Sequence, residues 1–170
     1  DGKIVSLAVG AAGSKGFAVG GALAINGVIN TVDAHVSGAS VVRTTGSVNV
    51  EARDASSIKT LSGGAALSTG GGAAGIALSV NFIANTVSAA VDSSTIDTRK
   101  GTGGALVSAE EAGSIDSISV GLAGGDNAAV SGSLSVNVIV ATVSAAIVGA
   151  ALVQTSGNAR VKGRNAAHVG

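Results

Sequence analysis

The chain has no cysteine and no proline, and only two aromatic residues, Phe17 and Phe82, among its 170 residues. Without cysteine there is no disulfide and no thiolate metal site. Without proline, the commonest obstacle to a long backbone hydrogen-bond ladder is missing. With two phenylalanines and neither tryptophan nor tyrosine, an ordinary globular core lacks the bulky fillers that usually carry much of its burial. Charge is sparse too: ten basic and ten acidic residues cancel and are scattered, so no strong field recruits nucleic acid or an anionic membrane. The densest basic cluster, Arg160, Lys162 and Arg164 with His168 nearby, occupies alternate positions and reads as one solvated strand face.

Glycine (27 residues), alanine, serine and valine dominate instead, and they recur in order. LAINGVINTVDAHV at 23–36, LSVNFIANTVSAAV at 78–91 and LSVNVIVATVSAAI at 134–147 are near copies. Ile4, Ile58, Ile115 and Val169 open equivalent stretches, at spacings of 54, 57 and 54 residues. Each unit closes on a mixed apolar and polar stretch: VEARDA at 50–55, VSAEEA at 107–112 and VKGRNA at 161–166. The expected organisation is three repeats of about 55 residues, 1–57, 58–114 and 115–170, in one continuous segment. Val169 reads as the start of a fourth copy, so the segment is expected to be a window on a longer array. A unit that cannot bury its own apolar face stacks on copies of itself.

Periodicity identifies what stacks. In the middle copy the apolar positions fall first on Leu78, Val80 and Phe82 and then on Val87, Ala89 and Val91. The period is two throughout, with a change of face near Ile83, which suits a strand that bends round a corner or is covered on both faces. β-Branched enrichment agrees with strands. The glycine-rich stretches 10–21, 63–75 and 121–132 suit turns, bends or close backbone approach. Asn26, Asn81 and Asn137 hold one place in the units, and Thr31, Thr86 and Thr142 another. In stacked parallel turns such positions lie about 4.7–4.9 Å apart, so identical side chains form ladders; the alternative is that they satisfy a turn. The fold expectation is therefore all-β: a parallel β-helix, or β-solenoid, with these six residues as candidate structural ladders.

Chemical motifs are weak by comparison. Residues 138–153 are an apolar run of sixteen, about 24 Å long as a helix at 1.5 Å per residue and short of the roughly 30 Å hydrocarbon core. The equivalent runs carry Asp33, His35 and Asp92, and a membrane β-barrel would need aromatic girdles. Gly70, Gly72 and Gly75, with Asp92 beyond, match the spacing of a dinucleotide fingerprint, yet a strand-like LSVNFI follows them rather than a helix. No GxxxxGK[ST] loop is present. His35 and His168 lie in different units with no recurring carboxylate or serine to complete a triad. Asp126 and Asn127 in GLAGGDNAAV resemble a calcium nonapeptide once, without recurrence, and Glu110 and Glu111 would point to opposite strand faces. One threonine row per unit is too sparse for ice binding. The expectation is no catalytic residue, no cofactor and no metal.

The order of glycine-rich stretch, LSVNxIxNTVxAxV and VxVxA resembles the repeats of very large exported bacterial proteins, the filamentous haemagglutinin-like and leukotoxin-like autotransporter adhesins. The resemblance covers all three units. It implies a right-handed parallel β-helix or related solenoid at the bacterial cell surface or outside the cell, serving as a stalk that holds a binding tip away from the cell. A unit near 55 residues is long for one turn of that family's solenoids, so it comprises two or more turns or an unusually broad one. Partners implied are further copies, through solenoid ends or neighbouring repeats, and a host-cell or matrix receptor met by regions outside this chain. The rival readings are a self-assembling extracellular fibre subunit and a glycan-binding or glycan-active β-helix module.

Overall fold

In a computed structural model describing residues 1–170, the chain forms thirteen β-strands and no helix. The first turn runs β1 (Lys3–Ser14), β2 (Ala18–Val36), β3 (Val41–Arg43) and β4 (Val48–Asp54). The second repeats that order as β5 (Ser57–Ser68), β6 (Gly72–Asp92), β7 (Thr95–Asp97) and β8 (Ala105–Glu111). The third runs β9 (Ser114–Gly125), β10 (Ala128–Val148), β11 (Leu152–Gln154) and β12 (Ala159–Asn165), and β13 (His168–Val169) follows. Each strand hydrogen-bonds in parallel to its equivalent one repeat away, giving four sheets ordered β1-β5-β9-β13, β2-β6-β10, β3-β7-β11 and β4-β8-β12. The architecture is an all-β parallel β-helix.

Register answers how a 55-residue unit is used. Ile4 pairs with Ile58, Ile58 with Ile115 and Ile115 with Val169, so one repeat is one broad turn. Repeat cuts at 57/58 and 114/115 fall at the start of β5 and β9. The longer second spacing is absorbed between strands, chiefly by residues 98–104, which join β7 to β8 where 44–47 and 155–158 join the equivalent strands. The ladder itself stays in phase.

Each turn is flattened into two layers. The long strands β2, β6 and β10 form one layer; β1, β5 and β9 pack over their first part and β4, β8 and β12 over their second. Inward positions of β6 read Ala73, Gly75, Ala77, Ser79, Asn81, Ile83, Asn85, Val87, Ala89 and Val91. The interior is consequently banded. At the narrow end Ala18, Ala66 and Ala73 are buried together. Then comes a serine, threonine and asparagine band, an isoleucine band of Ile58, Ile83 and Ile115 with Val28, a second polar band, and a valine and alanine core that includes Val50, Val87, Val91, Ile96 and Val107.

The two layers touch backbone to backbone at the narrow end. A Cβ placed on Gly10 would collide with the carbonyl oxygen of Gly21, on Gly64 with that of Ile76, and on Gly121 with that of Gly132. Gly20 and Gly75 meet the carbonyls of Ala65 and Leu122 in the same way. This close approach accounts for five of the fifteen glycines in the glycine-rich stretches.

The change of face near Ile83 takes a form the alternation alone does not reveal. β6 pairs without a break from Gly72 to Asp92 on both sides, so the strand keeps its pleat and the apolar residues change face. Up to Phe82 they point outward; from Ile83 they point inward. The outward stretch is covered by nothing else in the chain: Leu78 is 36% and Ile76 45% exposed although a strand lies on each side of them.

Neighbouring glycines on opposite faces of β5 test the seam. Gly64→Ala should cost about 1–3 kcal/mol through forced separation of the layers. Gly63→Ala should change stability by less than about 1 kcal/mol, because a Cβ there meets only the Val120 carbonyl oxygen, at 4.0 Å. Equal denaturation midpoints for the two variants would refute the seam.

Candidate functional site: two buried polar bands and the outer faces

The asparagine row predicted from sequence lies inside. Asn26 Nδ2 donates to Asn81 Oδ1 at 2.9 Å, and Asn81 Nδ2 to Asn137 Oδ1 at 2.8 Å. The opposite layer joins in: Thr60 Oγ1 donates to Asn81 Oδ1 at 2.7 Å and accepts from Asn26 Nδ2 at 2.9 Å. Next to it a hydroxyl cluster links Ser79 to Ser117, Ser119 and Ser135 at 2.9, 3.0 and 2.9 Å, with Ser62 bonded to Ser119 at 2.8 Å. Asn81, Ser62 and Ser79 are essentially inaccessible to solvent. Hydroxyls donate and accept at once, so a stack of them satisfies itself without external partners.

The threonine row behaves differently. Thr31, Thr86 and Thr142 are stacked in register but stand on the outer face and are exposed. They mark where the uncharged outer face gives way to Asp33, His35 and Ser88. Both rows keep one register position from turn to turn, and only the parity of the strand separates the inner row from the outer one.

A second buried band was not predicted. Asp54 and Glu111, in register in β4 and β8, are 1% and 0% exposed. Each accepts the backbone N–H two residues on: Ser56 N to Asp54 Oδ2 at 3.1 Å and Gly113 N to Glu111 Oε1 at 2.7 Å. Asn165 repeats the device with Ala167 N at 3.0 Å. Asn30 Nδ2 donates to Asp54 Oδ1 at 3.0 Å, and Asn85 Nδ2 donates to Asp54 Oδ2 at 2.6 Å and to Glu111 Oε1 at 3.4 Å. Asn85 Oδ1 and Glu111 Oε2 have no partner; the asparagine column ends above them, where Ala141 pairs with Asn85. The signal in sequence is the Asp, Glu or Asn that precedes the last alanine of VEARDA, VSAEEA and VKGRNA. These carboxylates fasten a corner, and they reach neither solvent nor a nucleophile.

Outside, charged groups pair either with a stacked neighbour or with a residue two positions along the chain, as Arg53 does with Glu51 at 3.0 Å. Arg164 bonds Glu110 at 2.6 Å and Lys59 lies 3.5 Å from Asp116. Glu110 and Glu111 do point to opposite faces, one outward and one inward. The largest concavity, about 610 Å³, runs along the outer face of β4, β8 and β12 and is lined by Arg53, Glu110, Arg160 and Lys162 among others. Asp33 stands between a hydroxyl and an imidazole, accepting from Ser88 and lying 2.7 Å from His35 Nδ1. Those hydrogen bonds, Ser88 first, hold its carboxyl below the ordinary value of 3.8. A catalytic triad needs the histidine between hydroxyl and carboxylate; here the carboxylate is in the middle.

Gly72 and Gly75 lie in β6 and Gly70 in the bend before it, so the dinucleotide spacing meets no helix. Asp126 and Asn127 form a bend in which Asn127 Nδ2 bonds the Gly70 carbonyl at 3.4 Å. No group of three or more histidine and acidic side chains is placed to hold a metal.

Replacing Asn81 by leucine should destabilise the chain by about 2–4 kcal/mol, because Asn26, Thr60 and Asn137 lose a buried partner together; an unchanged unfolding midpoint would refute the ladder's contribution. Asp97 is held at about 2 by hydrogen bonds from Arg99, whose Nε and second guanidinium nitrogen lie 2.9 and 3.0 Å from its oxygens. Its folded value lies below 3.8, so the contribution of the pair is complete above pH 3.8 and is lost as pH falls towards 2. In Arg99→Ala the Asp97 titration followed by NMR should move back towards 3.8; an unmoved midpoint would refute the pairing.

No protein-family model, curated protein or solved structure matches the chain.

Proposed function

We propose that this chain is a structural segment of an exported bacterial surface adhesin or extracellular filament, a stalk that holds a binding tip away from the cell. The observation that supports the reading is residue-for-residue register between successive turns, from Ile4 to Val169. Any further repeat of the same kind can join the same ladders, so repeat number sets rod length. Each turn adds about 4.7–4.9 Å and takes 54 to 57 residues. That proportion places the chain in the cross-section, and a thick rod resists bending better than a thin one. The proposal assigns no catalytic residue. The resemblance of the LSVNxIxNTVxAxV pattern to exported adhesin repeats supports the location.

A self-assembling fibre subunit is the second reading. The edges of β2 and β10 are unpaired within the chain, and open parallel edges template further strands.

Tandem copies of the chain, imaged by electron microscopy, should be rods whose length grows by about 14 Å per added 170 residues at constant width. Particles whose length does not follow copy number would overturn the rod. Protease treatment of intact producing cells should remove the segment; complete protection until lysis would overturn the surface location.

A further inference from the structure

The outer face of β2, β6 and β10 carries no charged or polar side chain over six columns and three turns. The columns are Val19, Ala74 and Val130; Gly21, Ile76 and Gly132; Leu23, Leu78 and Leu134; Ile25, Val80 and Val136; Gly27, Phe82 and Val138; and Ile29, Ala84 and Val140. At about 6.6 Å per column and 4.8 Å per strand the patch measures roughly 40 by 14 Å, about 550 Å². A soluble monomer rarely exposes a contiguous apolar patch of this size without a use for it.

The glycines on this face differ from those of the seam. A side chain on Gly27 or Gly132 would meet no atom within 4 Å, so nothing inside the chain requires glycine there. Glycine in a strand interior costs about 0.5–1 kcal/mol relative to alanine. Gly27 leaves a hollow beside Phe82, the largest side chain on the face, and Gly132 leaves one beside Ile76; an occupant from outside gives both a use.

We propose that this face is the seat of a second copy of the chain, packed sheet against sheet, with the Phe82 ring of each copy entering a glycine hollow of the other. Two solenoids share the same strand spacing, so the apolar columns of one copy meet those of the other in phase along the contact. A stable pair needs about 800 Å² per partner, which four to five turns provide and three approach. Lateral pairing therefore strengthens with array length and makes bundles of rods. A lipid surface fits less well: the six columns end without tryptophan or tyrosine, which the chain lacks and which membrane-embedded strands place at the interface. The proposal rests on the rod reading for its length dependence only.

The test uses the 170-residue chain and its Val80→Lys/Val136→Lys variant, both positions being about 40% exposed (40% and 41%) and pointing away from the interior. Wild type should sediment as a concentration-dependent dimer or larger species and appear in micrographs at double width. The lysine variant, with the same circular dichroism and unfolding midpoint, should pair at least about 100-fold more weakly, since each contact would bury unpaired charge. Gly27→Val, which fills a hollow while favouring the strand, should weaken pairing without lowering stability. Association undiminished in these variants would overturn the proposal, as would a wild type confined to single width at millimolar concentration. Wild type that stays single in solution but binds phosphatidylcholine vesicles through this face would also overturn it. Single-width rods that still lengthen with copy number would leave the rod reading standing while this proposal fell.

Discussion

In-register parallel stacking governs the rest of this molecule. Once Ile58 lies between Ile4 and Ile115, every side chain has its own equivalents as its nearest neighbours along the axis, about 4.8 Å away. A position can therefore hold only a residue that tolerates itself. Like charges repel at that distance, so on the outer face charges that stack alternate in sign, as Lys59 does with Asp116 and Glu110 with Arg164; the buried Asp54 and Glu111 are the exception, and Asn85 Nδ2 donates to both of them. Amides and hydroxyls satisfy the rule best, since each donates to one neighbour and accepts from the other. Asn26, Asn81 and Asn137 form such a column inside the protein.

The same rule sets the cross-section. At the narrow end the layers approach until carbonyl oxygens occupy the space of side chains, and only glycine fits. Further along, serine and asparagine span a slightly wider gap, then isoleucine, then the valine and alanine core. Interior width thus grows with the volume of the residues that line it. Polarity follows hydrogen bonding rather than distance from solvent, and the larger apolar side chains of the narrow half, which do not fit between the layers, stand on the outside.

The strand period, the repeat spacing and the two polar columns were legible in the sequence because each depends on local alternation and on copying. That Asn81 faces inward and Thr86 outward was not, because a period of two assigns residues to two faces without saying which is the interior. Convention places apolar residues inside; here Leu78, Val80 and Phe82 lie outside because Ser79 and Asn81 form the closed network between the layers. The choice between one broad turn and two narrow ones also escaped the sequence, since both give the same spacing. The corner carboxylates Asp54 and Glu111 were hidden for another reason: aspartate, glutamate and asparagine alternate at that place, so the function of the column is copied while its residue is not.

One broad turn per repeat has a mechanical consequence. A turn contributes about 4.8 Å to the length of the folded rod, yet it contains 54 to 57 residues that extend to roughly 180–200 Å when drawn out. Tension applied along the axis peels the terminal turn first, and each turn released lengthens the tether about fortyfold over the height it gave up. The exposed turn beneath is a copy of the one lost, and it presents the same ladder for re-docking when the load falls. Folded height and stored chain length are thus set separately, one by the number of turns and the other by their breadth.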